Sequence, residues 1–212
     1  MLNRTKYFSK LCLSGSFLVG LISLSSTANA QFIGINADVA IDYSAAPGSV
    51  SGYSVGISHP APFIPNIGYS YVSFIDKESI TNPSDNSSVS LETTTTIKTI
   101  NLFYNVPFPV VTITVGFGYG ADNLNTGVET ITTIKENDVG KDNSESKNSV
   151  SEAFFHIGLP FWNTVEFHLG YHFMSFSSID IIKSDKFQGK NYPTVKKSYS
   201  GGMTTIGVQV AF

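Results

Sequence analysis

Cysteine, charge and long apolar runs are all scarce in this sequence. The only cysteine, Cys12, lies near the start, so a disulfide framework is excluded. Charged residues make up 14% of the chain, and the acids outnumber the bases by 16 to 13, which leaves no basic excess for nucleic acid. No apolar run reaches the ~18 residues that a membrane-spanning helix needs. A membrane role, if there is one, would have to use strands.

The first thirty residues have the pattern of a secretory signal. Arg4, Lys6 and Lys10 precede an apolar run at 11–24, and Ala28-Asn29-Ala30 forms a cleavage site. Ser-Lys-Leu before Cys12 lacks the small residues of a lipoprotein site, so we expect no lipid anchor. We predict a cleaved signal peptide at 1–30 and one domain at 31–212. The mature net charge is then 10 − 16 = −6, because three of the 13 basic residues lie in the signal.

Alternation with a period of two dominates the rest of the chain. Apolar residues alternate with small or polar ones, as strands with two different faces require. Eight segments show the pattern: 32–43, 52–58, 67–75, 94–105, 111–119, 152–159, 165–174 and 199–212. Eight is an even number that closed antiparallel barrels use. The sequence therefore predicts an all-β protein, an eight-stranded antiparallel up-and-down β-barrel.

The composition of the two faces predicts which one points inward. One face carries residues such as Val39, Ile113 and Leu169, and the other mainly Gly, Ser, Thr, Asn, Asp and His. The second set has too little apolar area to offset the entropy of folding, so the apolar set should face lipid. We therefore predict a transmembrane barrel in the outer membrane of a Gram-negative bacterium. The alternative is a soluble secreted sandwich or lipocalin-like barrel that buries the apolar faces.

Charge and aromatic placement fits the membrane interpretation. Residues 76–92, 122–147 and 180–197 hold most of the charges, whereas the three Pro-containing turns hold no Lys, Arg, Asp or Glu. Long charged loops alternating with short turns are typical of the outer and periplasmic ends of a barrel. Lysines of the last loop could contact lipopolysaccharide phosphates. Aromatic residues are common at both membrane–water interfaces, and here they lie near both ends of the predicted strands. Those beside the turns are Phe63, Phe108, Phe161 and Trp162, and those toward the opposite ends are Tyr43, Tyr53 and Tyr119.

A polar cluster is predicted inside the barrel. Its members are the inward-facing Asn36, Asp38, Asp42, Glu166, His168 and His172. Histidines and carboxylates at strand spacing could bind a metal or relay a proton. Buried polar groups must also be paired, and we expect a hydrogen-bonded plug instead, with no catalytic, cofactor or metal site. Side chains of this size should close so narrow a lumen.

One turn carries a family resemblance. The segment 57–67, Ile-Ser-His-Pro-Ala-Pro-Phe-Ile-Pro-Asn-Ile, resembles the first periplasmic turn of a family of small outer-membrane β-barrels with no assigned activity, with the pattern His-Pro-x-Pro-x-x-Pro-Asn. More loosely, the chain is similar to the OmpX, OmpA-barrel and OmpW group. In such barrels a terminal aromatic strand is part of the assembly signal, which implies a contact of Phe212, Val210 and Val208 with the barrel assembly machinery.

For a barrel of this kind we expect a structural or surface-interaction role through its long outer loops. The partners would be outer-membrane lipid, lipopolysaccharide and an extracellular ligand. One alternative is a narrow pore or small-ligand carrier. Another is a lipid-modifying enzyme, which needs a nucleophile and a histidine within hydrogen-bond reach. Alternation along the seventh predicted strand places His172 inside the barrel and Ser175 outside, so the two cannot form such a pair. The sequence therefore favours a protein that is not an enzyme.

Overall fold

The protein folds almost entirely into antiparallel strands. The computed structural model describes residues 33–61, 63–81, 86–136, 139–162, 164–182, 186–187, 190–191 and 194–212, so the predicted signal peptide lies outside the described residues. No helix in those ranges is long and apolar enough to cross a membrane. The strands are β1 (Gly34–Tyr43), β2 (Val50–Ser58), β3 (Asn66–Thr81), β4 (Ser88–Pro107), β5 (Thr112–Gly120), β6 (Gly127–Glu136), β7 (Val139–Asn148), β8 (Val150–Trp162), β9 (Val165–Phe176), β10 (Ile179–Ile182), β11 (Lys186–Phe187), β12 (Lys190–Asn191), β13 (Val195–Lys197) and β14 (Gly201–Ala211).

Eight of these strands close into a ring. Their order is β1-β2-β3-β4-β5-β8-β9-β14, and β14 returns to pair with β1. Every neighbouring pair is antiparallel. Closure leaves no free sheet edge within the ring. The predicted eight-stranded antiparallel β-barrel is therefore confirmed.

Short turns join the strands at one end of the ring, which we call the turn end. In the first turn the backbone N–H of His59 donates to Asn66 Oδ1 at 2.9 Å, and His59 Nδ1 accepts from the backbone N–H of Ala61 at 3.2 Å. These bonds make His59 a turn residue. Beyond the opposite end, the loop end, β3 and β4 continue past the ring, and there β6 pairs with β4 and β7 pairs with β6.

The strands at the loop end are longer than the sequence pattern predicts. The ladder between β3 and β4 runs without a break from Asn66↔Phe103 to Thr81↔Ser88. The prediction of a polar loop over 76–93 is therefore wrong for the part of that range that the structure describes. Ile80, Val89 and the threonines at 81 and 93 favour strand, and pairing with a neighbour overrides the polar composition of the range. β6 pairs with the outer half of β4, on the edge that β5 occupies within the ring.

Polarity reverses along single strands as they leave the ring. We call the part of each strand nearer the turn end its lower part and the part nearer the loop end its upper part. In the lower part of β4, Ile100 and Leu102 point outward and are exposed, while Thr99 and Asn101 are buried inside. Above Lys98 the outward residues are polar, and the inward residues include Val89, Leu91 and Ile97. The lower wall is thus apolar outside and mainly polar inside, whereas the upper wall is polar outside and has apolar residues together with Thr93 and Thr95 inside. Only the upper wall has the arrangement of a water-soluble domain.

An apolar core fills the loop end. Its buried members come from the upper ends of the strands and from β10 and the residues that follow β13: Tyr43, Val72, Phe74, Ile80, Val89, Leu91, Ile97, Val128, Ile134, Val150, Met174, Ile179, Ile181, Tyr199 and Met203. Phe74 packs against both Tyr43 and Tyr199, at ring-centroid distances of 5.5 and 5.2 Å. This core therefore lies at the loop end of the ring, next to the polar lumen.

A bulge in β1 makes the predictions for Asp42 and Tyr43 wrong. The register between β1 and β14 shifts between Ala40 and Asp42, so the period of two is lost there. Asp42 is consequently exposed and does not join the lumen cluster. Tyr43, predicted at the membrane rim, instead turns inward with 1% exposure and donates a hydrogen bond to the carbonyl oxygen of Tyr199.

A buried tyrosine and an ion pair hold the last outer segment on the apolar core. The hydroxyl of Tyr199 donates to Asp76 Oδ2 at 2.8 Å, and Lys197 Nζ lies 2.6 Å from the same oxygen. Burial, together with the bond to Asp76, raises the pKa of the Tyr199 hydroxyl, so it stays a proton donor at all ordinary pH values.

The Tyr199→Phe change should lower the free energy of unfolding by ~1.5 kcal/mol. It removes a hydrogen bond to a charged acceptor and keeps the ring packing against Phe74. Urea titration in detergent micelles measures the effect. Tyr119→Phe is the matched control, because this exposed tyrosine on the barrel exterior should change the value by less than ~0.5 kcal/mol. Equal effects of the two changes would contradict a role for the Asp76 bond.

Candidate functional site in the barrel lumen

The lumen between the apolar core and the turn end holds most of the predicted polar cluster. Asn36, Asp38, His168 and His172 are buried, with exposures of 6%, 2%, 4% and 0%. The side chain of Glu166 is 13% exposed. Sequence reasoning left Glu152 and His156 out of the cluster, although both are buried in it. Parity was the available signal, since Glu152, Phe154 and His156 share the inward face of β8.

Glu152 is the centre of one half of the site. Its side chain is fully buried and accepts hydrogen bonds from Ser70 Oγ at 3.2 Å and from Thr99 Oγ1. His172 Nδ1 contacts the same carboxylate. Asn101 supports the group by donating to Ser70 Oγ at 2.6 Å. Strands β3, β4, β8 and β9 therefore meet at one carboxylate, whose partners supply the hydrogen bonds that a buried charge requires.

Two histidines extend this half across the lumen. The Nε2 atoms of His156 and His172 lie 3.0 Å apart, so one ring donates to the other. The Phe154 ring stacks on His172 with centroids 4.9 Å apart and an interplanar angle of 15°. His172 is thereby held between a carboxylate and an imidazole, which fixes its orientation.

Asp38, Glu166 and His168 form the other half. His168 Nε2 lies 2.7 Å from Glu166 Oε1, and His168 Nδ1 lies 3.7 Å from Asp38 Oδ1. Thr112 Oγ1 donates to the second oxygen of Glu166. Gly158 allows Glu166 to lie this close to the wall, because a Cβ there would be 1.9 Å from Glu166 Oε1. Histidine–carboxylate contacts thus link His172 to Glu152 and His168 to Glu166.

The two halves differ in how fully they are paired. In the described part of the chain, both oxygens of Asp38 and the Nδ1 atoms of His156 and His168 are buried without a hydrogen-bond partner. One ligand atom from each of these three residues lies within 4.8 Å of the others. The Glu152 half fits the hydrogen-bonded plug that the sequence predicts. The Asp38 half leaves polar atoms facing one another.

Comparison with known proteins gives fold-level likenesses alone. No family model matches the chain, and no curated protein matches it. The family suggested by the first turn therefore stays a prediction. The N-terminal β-barrel domain of Pseudomonas aeruginosa OprF is 12% identical, with a TM-score of 0.40 over 85% of this chain and 96% of that one. Neisserial surface protein A is 15% identical, with a TM-score of 0.42 over the same shares.

A third similar structure is a larger protein. The outer membrane protease OmpT from Escherichia coli is 12% identical, with a TM-score of 0.46 over 77% of this chain and 64% of that one. Likenesses as distant as these say nothing about activity. The closed ring of strand pairs is what establishes the fold.

Proposed function

We propose that this protein is a bacterial outer-membrane β-barrel whose role is structural or interactive and is carried by its loop end. The reversal of polarity along β4 is the observation that supports the proposal, and β3 shares it, with Val72 and Phe74 buried inside and Lys77 and Ser79 exposed outside. A wall with exposed apolar and buried polar residues requires lipid around it, whereas the upper wall requires water. The same strands therefore contain both an anchor and a folded extension outside the membrane.

The apolar belt supports the membrane location. Large apolar side chains stand exposed on every strand of the ring, for instance Phe117 at 57% and Leu169 at 55%. A soluble barrel would have to keep this belt in water, which costs about 25 cal/mol for each Å² of apolar surface. The soluble sandwich or lipocalin-like alternative is accordingly disfavoured. The signal peptide at 1–30 is part of the proposed export route to the outer membrane.

The extension supports a role at the cell surface. It is a sheet of β3, β4, β6 and β7 backed by an apolar core, so it presents a defined surface and not only flexible loops. Lipopolysaccharide and an extracellular ligand are the proposed partners there. Two lysines of the last outer segment are engaged within the protein, since Lys197 pairs with Asp76 and Lys196 Nζ lies 3.6 Å from Asp180. Insertion through Phe212, Val210 and Val208 by the assembly machinery remains part of the proposal.

Cysteine labelling on intact cells tests the orientation. The natural chain has only Cys12, so it serves as the unlabelled control. Ser90→Cys on the exposed face of β4 should react with a membrane-impermeant maleimide on intact cells. Val110 lies in the turn between β4 and β5, and its side chain is 74% exposed. Val110→Cys should therefore react only after permeabilisation. The reverse labelling pattern would contradict the proposal that the loop end faces outward.

A pore is the first alternative, and the apolar core disfavours it. Met174 is opposite Glu152 and Met203 is opposite His172 in the strand ladders, so fully buried methionine side chains lie beside the polar cluster and occupy the lumen with it. We therefore expect no stable ion conductance from the purified, refolded protein in a planar bilayer at neutral pH. Reproducible single-channel steps would refute the closed lumen and make the pore the leading function.

A lipid-modifying enzyme is the second alternative. Ser175 is exposed on the outside of β9, and His172 is fully buried inside, so the barrel wall separates them. This separation supports the proposal that the protein is not an enzyme of that kind. Mass spectrometry of lipid A from overexpressing cells tests it, with an unchanged spectrum expected.

A further inference from the structure

We propose that Asp38, His156 and His168 bind one divalent transition-metal ion, such as Zn²⁺, inside the barrel. The three side chains come from β1, β8 and β9, and one ligand atom of each lies within 4.8 Å of the others. All three residues are at least nine-tenths buried. The inference does not depend on the proposed role of the loop end, because it rests only on the lumen.

The hydrogen-bond chain from Glu152 leaves a lone pair on His156. His172 Nδ1 donates to the Glu152 carboxylate, because a carboxylate can only accept. The Nε2 atom of neutral His172 is then an acceptor, so His156 Nε2 carries the hydrogen across the 3.0 Å contact. Neutral His156 consequently has its free lone pair on Nδ1, the atom that is buried without a partner.

The same reasoning leaves a lone pair on His168. Its Nε2 atom donates to Glu166 Oε1 at 2.7 Å, so the neutral ring has its free lone pair on Nδ1. That Nδ1 atom is also buried without a hydrogen-bond partner in the described chain and faces Asp38 Oδ1 at 3.7 Å. Two imidazole lone pairs and a carboxylate therefore converge in one buried place.

A cation resolves this convergence. While both imidazoles are neutral, three acceptors face one another and repel, and leaving each unpaired polar group in a buried site costs free energy. The separation of 3.7 Å is longer than a hydrogen bond. It is close to the ~3.3 Å that separates two ligands of a tetrahedral ion with bonds of ~2.0 Å. Small side-chain rotations would complete the coordination.

The ligand types indicate which ions fit. Two imidazole nitrogens and one carboxylate oxygen suit Zn²⁺ and the other late divalent ions of the first transition row, whereas Ca²⁺ and Mg²⁺ prefer oxygen alone. Three protein ligands leave a position for water. The groups behind the ligands also fit, because metal-bound histidines usually donate their other N–H to a carboxylate or similar acceptor. Glu166 does this for His168, and His172 does it for His156.

Zinc titration of the purified, refolded and chelator-stripped protein tests the proposal. We expect uptake of one Zn²⁺ per chain, and X-ray absorption should show two imidazole nitrogens among ligands at ~2.0 Å. Asp38→Asn and His168→Gln should each weaken binding at least tenfold. Glu166→Gln, which removes only the carboxylate behind His168, should weaken it by roughly 10- to 100-fold. A shift in gel mobility on heating identifies the folded protein in every sample.

His59→Gln is the matched control. His59 lies in the first turn and is the one histidine outside the lumen among the four in the sequence, so its loss should leave Zn²⁺ affinity unchanged. Loss of binding in His59→Gln together with unchanged binding in Asp38→Asn would overturn the proposal. A failure of the natural protein to bind Zn²⁺ would also overturn it, as would an X-ray absorption spectrum without two imidazoles. These last readouts need no variant to fold, and none depends on cell-surface labelling.

Discussion

Replacing Leu169 by Arg should lower the free energy of unfolding in lipid bilayers by about 2–4 kcal/mol. Leu169 lies midway along β9 on the exposed apolar belt, with Phe167 and Tyr171 on the same face. A charged side chain near the bilayer midplane loses its hydration, and for transmembrane barrels the cost is of this size. Folding into vesicles at increasing urea concentration, followed by heat modifiability on gels, measures the change.

Ile131→Arg is the control that makes this test specific to lipid. Ile131 on β6 is also an apolar strand residue with an exposed side chain, at 44% against 55% for Leu169. It lies on the extension, above the reversal of polarity, so arginine there should cost less than ~0.5 kcal/mol. Equal tolerance of arginine at both positions would mean that the belt does not contact lipid. A large loss at Ile131 would place the boundary further toward the loop end.

Glu152→Ala should lower the free energy of unfolding by roughly 3–5 kcal/mol. The change leaves His172, Ser70 and Thr99 without their common acceptor in a buried site, and removing one partner of a buried charged pair has a cost of this size. Urea titration of the refolded protein measures the loss. Glu152→Gln should restore part of it, because the amide oxygen can still accept from Thr99 and Ser70.

Glu129→Ala is the matched control for this change. Glu129 is partly exposed on the outward face of β6, so its removal should alter stability by less than ~0.5 kcal/mol. If Glu152→Ala were equally mild, the lumen network would be incidental to folding. A loss of several kcal/mol would show that the barrel depends on the polar contents of its lumen as well as on its lipid-facing surface.

Local alternation explains why much of the fold could be predicted. Successive side chains of a strand point to opposite faces, so the composition of each face follows directly from the sequence. This rule placed Val39, Leu169, Asp38 and His168 on the correct sides of the wall. It fails where the backbone departs from regular geometry, and the bulge between Ala40 and Asp42 reversed the sides of Asp42 and Tyr43. No residue type near Asp42 marks that bulge.

By itself, the sequence determined the number of ring strands, their antiparallel order and the polar character of the lumen, because these depend on short-range alternation and turn chemistry. Only the tertiary structure decided which polar groups meet. Register between strands sets the height of each side chain in the barrel, and that register is a property of pairs distant in sequence, such as Gly158↔His168 and Asp38↔Gly207. The meeting of Asp38, His156 and His168, and the apolar core above them, depend on this long-range register.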